Sequence, residues 1–379
     1  MISKRAKEMP SFIVMDVLER AKQLEAKGEK IIHLEIGEPA FDTPDAIKRA
    51  AKEALEKGYT HYTHSLGLLE LREAISRHYY EKYKVDISPD QILVTSGTSP
   101  AILLIFSVLL EPGDEIILSN PSYPCYPNII RYIDGVPIFI NVYEEDGFSY
   151  QPKAIIPKIS KRTKAIMINS PSNPTGQLLS PSKMAEIVSL SPYIISDEIY
   201  HGLVYEEKEH TILEFTKNAF VINGFSKLYA MTGWRLGYII APKAFIRPMQ
   251  KVQQNLFISA NAFVQIAGIT ALKETKNDVN RMKKLYNERR KYMIKRLKEL
   301  GFGIMIEPKG AFYIFANAKK FTNNSYKFAF EMLEKAKVGT TPGIDFGSNG
   351  EGYIRFSYAS SIEDIKEGMN RIEEFLKTN

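Results

Sequence analysis

One cysteine, Cys125, stands in the whole chain of 379 residues, so no intrachain disulfide can form. That absence suits a reducing compartment. In "PSYPCYP" the thiol lies between prolines with no histidine near it in sequence, and it is read as a small buried filler rather than a nucleophile. The six histidines are scattered, and neither H-E-x-x-H nor C-x-x-C spacing occurs, so no metal centre is expected. Long apolar runs are missing as well. The longest, "AILLIFSVLL" at 101–110, is too short to span a bilayer. The N-terminal "MISKRAKEMPSFIVMDVLERA" has no uninterrupted apolar stretch, so no signal peptide is read. A cytoplasmic protein with no membrane partner is expected.

A large excess of one charge is also lacking: 50 Lys and Arg against 44 Asp and Glu leave a net charge of +6. A nucleic-acid footprint needs clustered charge, so no nucleic-acid partner is expected. The densest basic run, "RMKKLYNERRKYMIKRLKEL" at 281–300, carries Met282, Leu285, Tyr286, Met293 and Leu297 at helical spacing. It predicts a long solvated helix with its lysines and arginines on the outer faces.

What is present is enough chain for two domains, or one large domain with a smaller lobe. From about residue 43 helix and strand alternate. Thr43-Pro44 opens a helix that Gly58 closes, and "LLELREAISRHYYEKY" is a second amphipathic helix. Then come the short apolar runs "QILVTSG", "EIILSN", "VPIFINV", "KAIMINSP", "YIISDE", "FVINGF" and "RLGYIIA". Such strands, mostly separated by helices or loops, predict an α/β fold whose mostly parallel sheet is covered by helices on both faces. After about residue 285 the texture changes to a charged helix, "GFGIMIEPKGAFYIFAN", a helix near 325–337, "YIRFSYA" and a last helix from 361. The expected division is a large domain at 43–285 and a small α+β domain formed by 1–42 and 286–379.

Ligands of open α/β sheets bind beyond the carboxyl ends of the strands, so the polar residues there carry the functional argument. "VTSGTS" ends in Gly97, Thr98 and Ser99 just before a helix, which makes either a phosphate seat or an ordinary N-cap. "MINSPSNPTG" projects Asn173, "YIISDEIY" delivers Asp197 and then Tyr200, and "FVINGFSK" presents Lys227, with Arg235 following in "MTGWR". A carboxylate at the end of an apolar strand is expensive to desolvate unless it meets a cation. No G-x-S-x-G elbow, G-x-x-x-x-G-K-[ST] loop or G-x-G-x-x-G after the first strand competes. A lysine beside a phosphate seat and a buried carboxylate points to Schiff-base chemistry on pyridoxal 5'-phosphate.

"SNPTG", "SDEIY", "GFSKLYAMTGWRLGY" and "YIRFSYA", in this order and spacing, resemble the fold-type I pyridoxal-phosphate aminotransferases of class I/II. The likeness runs from "IGEPAFDTP" to the final helix. It implies that Lys227 bonds the cofactor and shuttles a proton, that Asp197 pairs with the pyridine nitrogen, and that Asn173 and Tyr200 hydrogen-bond the ring oxygen. Tyr123 would stack on the ring. Gly97, Thr98, Ser99 and Arg235 would hold the phosphate, helped by Tyr62 from the other subunit of a homodimer. Arg355 would grip the substrate carboxylate as a bidentate fork, with Gly37 and Asn173 beside it. Relatives often carry a phosphate-binding serine three residues before the lysine; here that place is Gly224, and Ser226 is the nearest hydroxyl.

The resemblance implies ping-pong transfer of an amino group from an L-amino acid to a 2-oxo acid, with 2-oxoglutarate as the expected acceptor. Phe12 to Met15, the start of the 100s helix and Asn255 to Ile258 are expected to line the side-chain pocket. These stretches hold no arginine or lysine, which favours aromatic or aliphatic donors over aspartate. A C–S lyase on the same scaffold is the alternative, and a cofactor-sensing regulator a more distant one.

Overall fold

The computed structural model of the chain describes residues 2–378. Its strands are β1 (Ile32–His33), β2 (Ile92–Thr95), β3 (Glu115–Asn120), β4 (Val136–Asn141), β5 (Thr163–Asn169) and β6 (Tyr193–Asp197). They continue as β7 (Ala219–Gly224), β8 (Gly237–Ile240), β9 (Tyr313–Asn317), β10 (Val338–Gly339), β11 (Thr341–Pro342) and β12 (Tyr353–Ser357). All seven apolar runs read from the sequence are strands of one sheet, ordered β2-β8-β7-β6-β5-β3-β4.

Both faces of that sheet are covered, and successive residues divide between them. Val94, Ile117, Ile166, Ile194 and Val221 pack into one buried cluster. Leu93, Ile116, Ala165, Ile195 and Phe220 pack into another on the opposite side. Strand side chains alternate faces, so a strand buried on both sides must be apolar throughout. Each of the valine, leucine, isoleucine and phenylalanine side chains withdrawn from water here contributes about 1.5–3 kcal/mol.

The strands from β3 to β7 in the sheet pair in parallel, and β8 runs antiparallel to both of its neighbours. The link from Gly224 to Gly237 contains turns and no helix, so it returns the chain as a neighbour of opposite sense instead of crossing over. This has a consequence for the site. Gly237 stands opposite both Thr95 of β2 and Gly224 of β7, so those two strands end at the same edge. Asn120, Asn141, Asn169 and Asp197 end their strands there too.

A second, antiparallel sheet has the order β11-β12-β9 and carries Arg355 on its central strand. β1 pairs in parallel with β10, joining the N-terminal segment to the chain around residue 338. The helix Lys276–Leu300 runs unbroken past residue 285. Not all of its basic side chains lie outside, contrary to the sequence reading. Arg289 and Arg290 are buried. Arg289 donates to the Ala359 carbonyl at 2.9 Å and lies over the Phe41 ring. Arg290 meets Glu206 and the Pro308 carbonyl, both at 2.6 Å. Their partners come from distant segments, which periodicity within one helix does not register. Cys125 likewise departs from expectation: it is only partly covered, at the first position of the helix Cys125–Tyr132. Among the described residues no helix is long and apolar enough to cross a membrane.

Candidate active site

A cleft opens at the shared strand edge, between the large sheet and the sheet that carries Arg355. Gly37, Thr98, Ser99, Tyr123, Asn173, Asp197, Tyr200, Lys227, Arg235 and Arg355 all line it, together with Ser226. Gly97 lies just behind, beneath Arg235. Tyr62 does not line it; it is 82% exposed on the surface of this protomer. Phe12, Val14, Met15 and Ile102 form part of the outer wall, whereas none of residues 255–258 does so within one protomer.

Lys227 sits three residues beyond β7, and its Nζ donates to the Gly37 carbonyl at 2.7 Å. Burial draws its amine down from 10.5 to about 8; the Arg355 and Arg235 charges push the same way, while Glu38 and Asp197 oppose them. Such an amine is partly unprotonated near neutral pH and so competent as nucleophile and base.

Asp197 is buried at the end of β6. Its Oδ2 accepts from the Tyr126 hydroxyl at 2.6 Å, and its Oδ1 accepts from the Ile199 N–H at 3.1 Å, a local turn bond. Burial raises its carboxyl to about 6, against the pull of those two donors and of the Lys227 charge. Asn169 braces the next strand end: its amide donates to the Asp197 carbonyl at 2.9 Å, and its oxygen accepts the Asn173 N–H at 2.7 Å. Asn173 is thereby aimed into the cleft.

Tyr200 and Tyr313 share a hydroxyl–hydroxyl hydrogen bond of 2.8 Å, both buried. Arg355 donates from Nη1 to Asn173 Oδ1 at 2.9 Å, and from Nη2 to Thr341 Oγ1 at 3.0 Å and to the Glu35 carbonyl. Its guanidinium lies over the Tyr313 and Phe346 rings, 4.4 and 4.9 Å from their centroids. Its buried Nε has no hydrogen-bond partner.

At the other end of the cleft the helix Thr98–Leu109 begins directly after Gly97, which has φ +95°. A Cβ at that position would collide with the Arg235 guanidinium, so only glycine allows this approach. Free backbone N–H groups at a helix start, hydroxyls of Thr98 and Ser99, and an arginine together could hold a phosphate. Gly224 also has a physical reason. A Cβ there would lie 2.9 Å from the Leu236 carbonyl oxygen and 3.1 Å from Gly237 Cα, so the close approach of β8 leaves no room for a side chain.

Tyr126, Tyr313, Asn169, Thr341 and Glu35 were not singled out in the sequence. Tyr126 was within reach, lying three residues after Tyr123 in a proline-rich turn that precedes a helix. Asn169 carried the same signal as Asp197, a polar residue that ends an apolar strand, whereas Tyr313, Thr341 and Glu35 depend on contacts between distant segments and carry no local signal.

Residues 29–372 match the family model described as aminotransferase class I and II. The chain is 46% identical over 380 residues to the (5-formylfuran-3-yl)methyl phosphate transaminase of Methanocaldococcus jannaschii, covering 99% of this chain and 100% of that one. It is 43% identical to an aspartate aminotransferase of Pyrococcus horikoshii, covering 96% of this chain and 94% of that one. A crystal structure from Methanococcus jannaschii, described as similar in its active site to kynurenine aminotransferases, superposes with a TM-score of 0.93 at 46% identity, covering 99% of this chain and 100% of that one. The chain belongs to the class I and II aminotransferases, and it is a pyridoxal-phosphate-dependent transaminase of fold type I that moves an amino group between amino and oxo acids.

Proposed function

We propose that Lys227 is the residue that bonds the cofactor and moves the proton at the substrate Cα. The observation that carries this reading is an amine drawn down to about 8, in a cleft that also presents Asp197 and Arg355. The residues fit the cofactor. Gly97 leaves a cradle that a Cβ would fill, beside an arginine and a helix start, and Asp197 is a buried carboxyl whose charge a pyridinium would offset. Bound there, pyridoxal phosphate supplies a sink for the electrons left on Cα when its proton departs.

In this reading Gly97, Thr98, Ser99 and Arg235 hold the phosphate, and Tyr123 covers one face of the ring. Asn173 and Tyr200 donate to the ring oxygen, with Tyr313 orienting the Tyr200 hydroxyl. Arg355 seats the substrate carboxylate, and Asn173 and the Gly37 backbone flank it. The donor leaves as its 2-oxo acid before the acceptor enters, in ping-pong order. Lys227 takes the Cα proton in one half-reaction and returns it in the other. The relatives named above act on an aldehyde phosphate or on aspartate by their names, so the family's scaffold does not itself choose the substrate. 2-oxoglutarate is the first acceptor to try.

The working form in this proposal is a cytoplasmic homodimer in which the partner subunit's Tyr62 reaches the phosphate. Its support is exposure: Tyr62, Leu256 and Ile258 are large side chains at 82%, 56% and 44% accessibility. We further propose that residues 43–285 form the cofactor lobe, and that 1–42 and 286–379 form the lobe that carries Arg355.

The experiment is to add single amino acids to the purified holoprotein and follow its visible absorbance. Bleaching by a donor, reversed by a 2-oxo acid, supports transfer. A steady colour with accumulating pyruvate and ammonia would instead show a lyase.

A further inference from the structure

The turn that leaves β6 faces two ways. Asp197 and Tyr200 line the cleft, and this step rests on the reading above in which they meet the cofactor. Glu198 and His201 lie on the other side, buried against the helix Leu69–Tyr83. Apolar side chains would fill that space at less cost, because a buried carboxylate or imidazole must recover its lost hydration in hydrogen bonds.

Both find partners. Glu198 Oε1 accepts from the Ser196 hydroxyl at 3.0 Å, the Thr211 hydroxyl at 2.9 Å and the Ile212 N–H at 3.0 Å. Its Oε2 accepts from the Tyr79 hydroxyl at 3.4 Å. His201 spans two segments: its Nε2 lies 3.0 Å from the Ser170 carbonyl and its Nδ1 2.6 Å from the Tyr83 hydroxyl. A carbonyl only accepts, so Nε2 carries the hydrogen and Nδ1 accepts from Tyr83. Burial draws the imidazole down from 6.5 to about 3, so it stays neutral near neutral pH and keeps this tautomer. Glu198 Oε2 also lies 3.4 Å from Nδ1, which makes the acid and the imidazole one cluster. The turn is pinned again at Gly202, whose N–H donates at 3.0 Å to Glu209, itself paired with Lys82 at 2.5 Å. The side chains that bond Glu198 and His201 are buried within one subunit, so their arrangement is complete without a partner.

Ser170 follows directly on β5 and stands just ahead of Asn173. The hydrogen bond from His201 therefore joins the turn that carries Asp197 and Tyr200 to the loop that carries Asn173. It does so from the side away from the cleft.

We infer that His201 is a positioning residue for the cofactor: from behind the cleft it fixes the spacing between Asp197 and Tyr200 on one segment and Asn173 on the other. It touches no reactant and acts through those three groups.

The test reads the bound cofactor rather than turnover. Holoprotein is titrated with acid and base while its visible absorbance is followed, and apoprotein is titrated with pyridoxal phosphate. Donors to the ring oxygen favour its charged form, so loosening Asn173 and Tyr200 in His201→Leu is expected to move the midpoint of the absorbance change up by about half a pH unit or more. Cofactor affinity is expected to fall about tenfold. His201→Gln can still donate to the Ser170 carbonyl and recovers most of both losses. Tyr83→Phe removes only the hydroxyl that orients the imidazole and moves the midpoint the same way by less; it decides the matter if His201→Leu does not fold. Folded variants that titrate and bind the cofactor as the wild type does would overturn the inference and leave the transaminase reading standing. If the wild type itself shows no visible band with the cofactor, that reading falls and takes the inference with it.

Discussion

The Tyr126 hydroxyl donates to Asp197 Oδ2 at 2.6 Å, tying the helix Cys125–Tyr132 to the end of β6. Burial pushes the Asp197 carboxyl up, and this bond opposes the push. Tyr126→Phe removes the donor and keeps the ring, so the carboxyl rises further. A hydrogen bond to a charged group contributes about 1.5–3 kcal/mol, so kcat/KM is expected to fall about tenfold or more. The acidic limb of the pH profile should move to higher pH. An acidic limb that stays in place would show that Tyr126 has no hold on this ionisation.

Asp197 also burdens the fold when no cofactor is bound. Its carboxyl is raised from 3.8 to about 6, so the folded apoprotein binds this proton more tightly than the unfolded chain does. Stability therefore declines as pH rises from about 4 to about 6, and stays lower above that. Asp197→Asn removes the buried charge. The apo variant is expected to exceed the wild type by about 3 kcal/mol near neutral pH and to come within about 1 kcal/mol of it near pH 4. Urea unfolding at the two pH values measures this, while turnover by the variant is lost.

His33 runs the opposite way. Its hydrogen bond to buried Glu35, helped by Glu25, raises it from 6.5 to about 9 against the cost of burial. A raised histidine stabilises fully below its unfolded value, and that contribution fades as pH climbs to about 9. His33→Ala leaves the Glu35 carboxylate without its cation, and a loss of about 2–3 kcal/mol is expected near pH 6. Near pH 10 the loss should shrink to that of packing alone. An equal loss at both values would rule out the ion pair as its source.

Gly97→Ala tests the phosphate cradle. The new methyl must enter a backbone with φ +95° and displace the Arg235 guanidinium. Strain of about 1–3 kcal/mol is expected, and cofactor affinity should fall by about tenfold or more. Titrating the apoprotein with pyridoxal phosphate gives the number, and unchanged affinity would contradict the seat.

Complementation tests the shared dimer site. Tyr62→Ala and Lys227→Ala subunits, refolded together, are expected to regain activity that neither has alone. Only a mixed dimer would then hold one site with both groups intact. No gain on mixing would mean that Tyr62 acts within its own subunit or not at all.

Local pattern made the frame of this protein readable. Unbroken apolar runs such as "EIILSN" and "YIISDE" are what a sheet buried on both faces requires, and all seven became its strands. The polar residues at their ends stood out as candidates for the same reason: Asp197 and Lys227 are costly where they stand, and the fold brings both to one cleft. The sense of β8 was not legible, because nothing in "RLGYIIA" tells a return from a crossover. Tyr313 reads as one more apolar-strand tyrosine until the fold brings it to Tyr200. Arg289 and Arg290 read as solvated because their partners at Ala359 and Glu206 lie far off in the chain. Asp345 caps a helix more than 300 residues away, and no window of sequence contains both.

The central claim is that Lys227 is the residue that bonds the cofactor. The most direct measurement is reduction of the holoprotein with borohydride, followed by proteolysis and mass spectrometry of the peptides. The account predicts one phosphopyridoxyl group per chain, carried by Lys227 within "GFSKLYAMTGWR". A label on another lysine, or none at all in protein that still bleaches with amino acids, would contradict it.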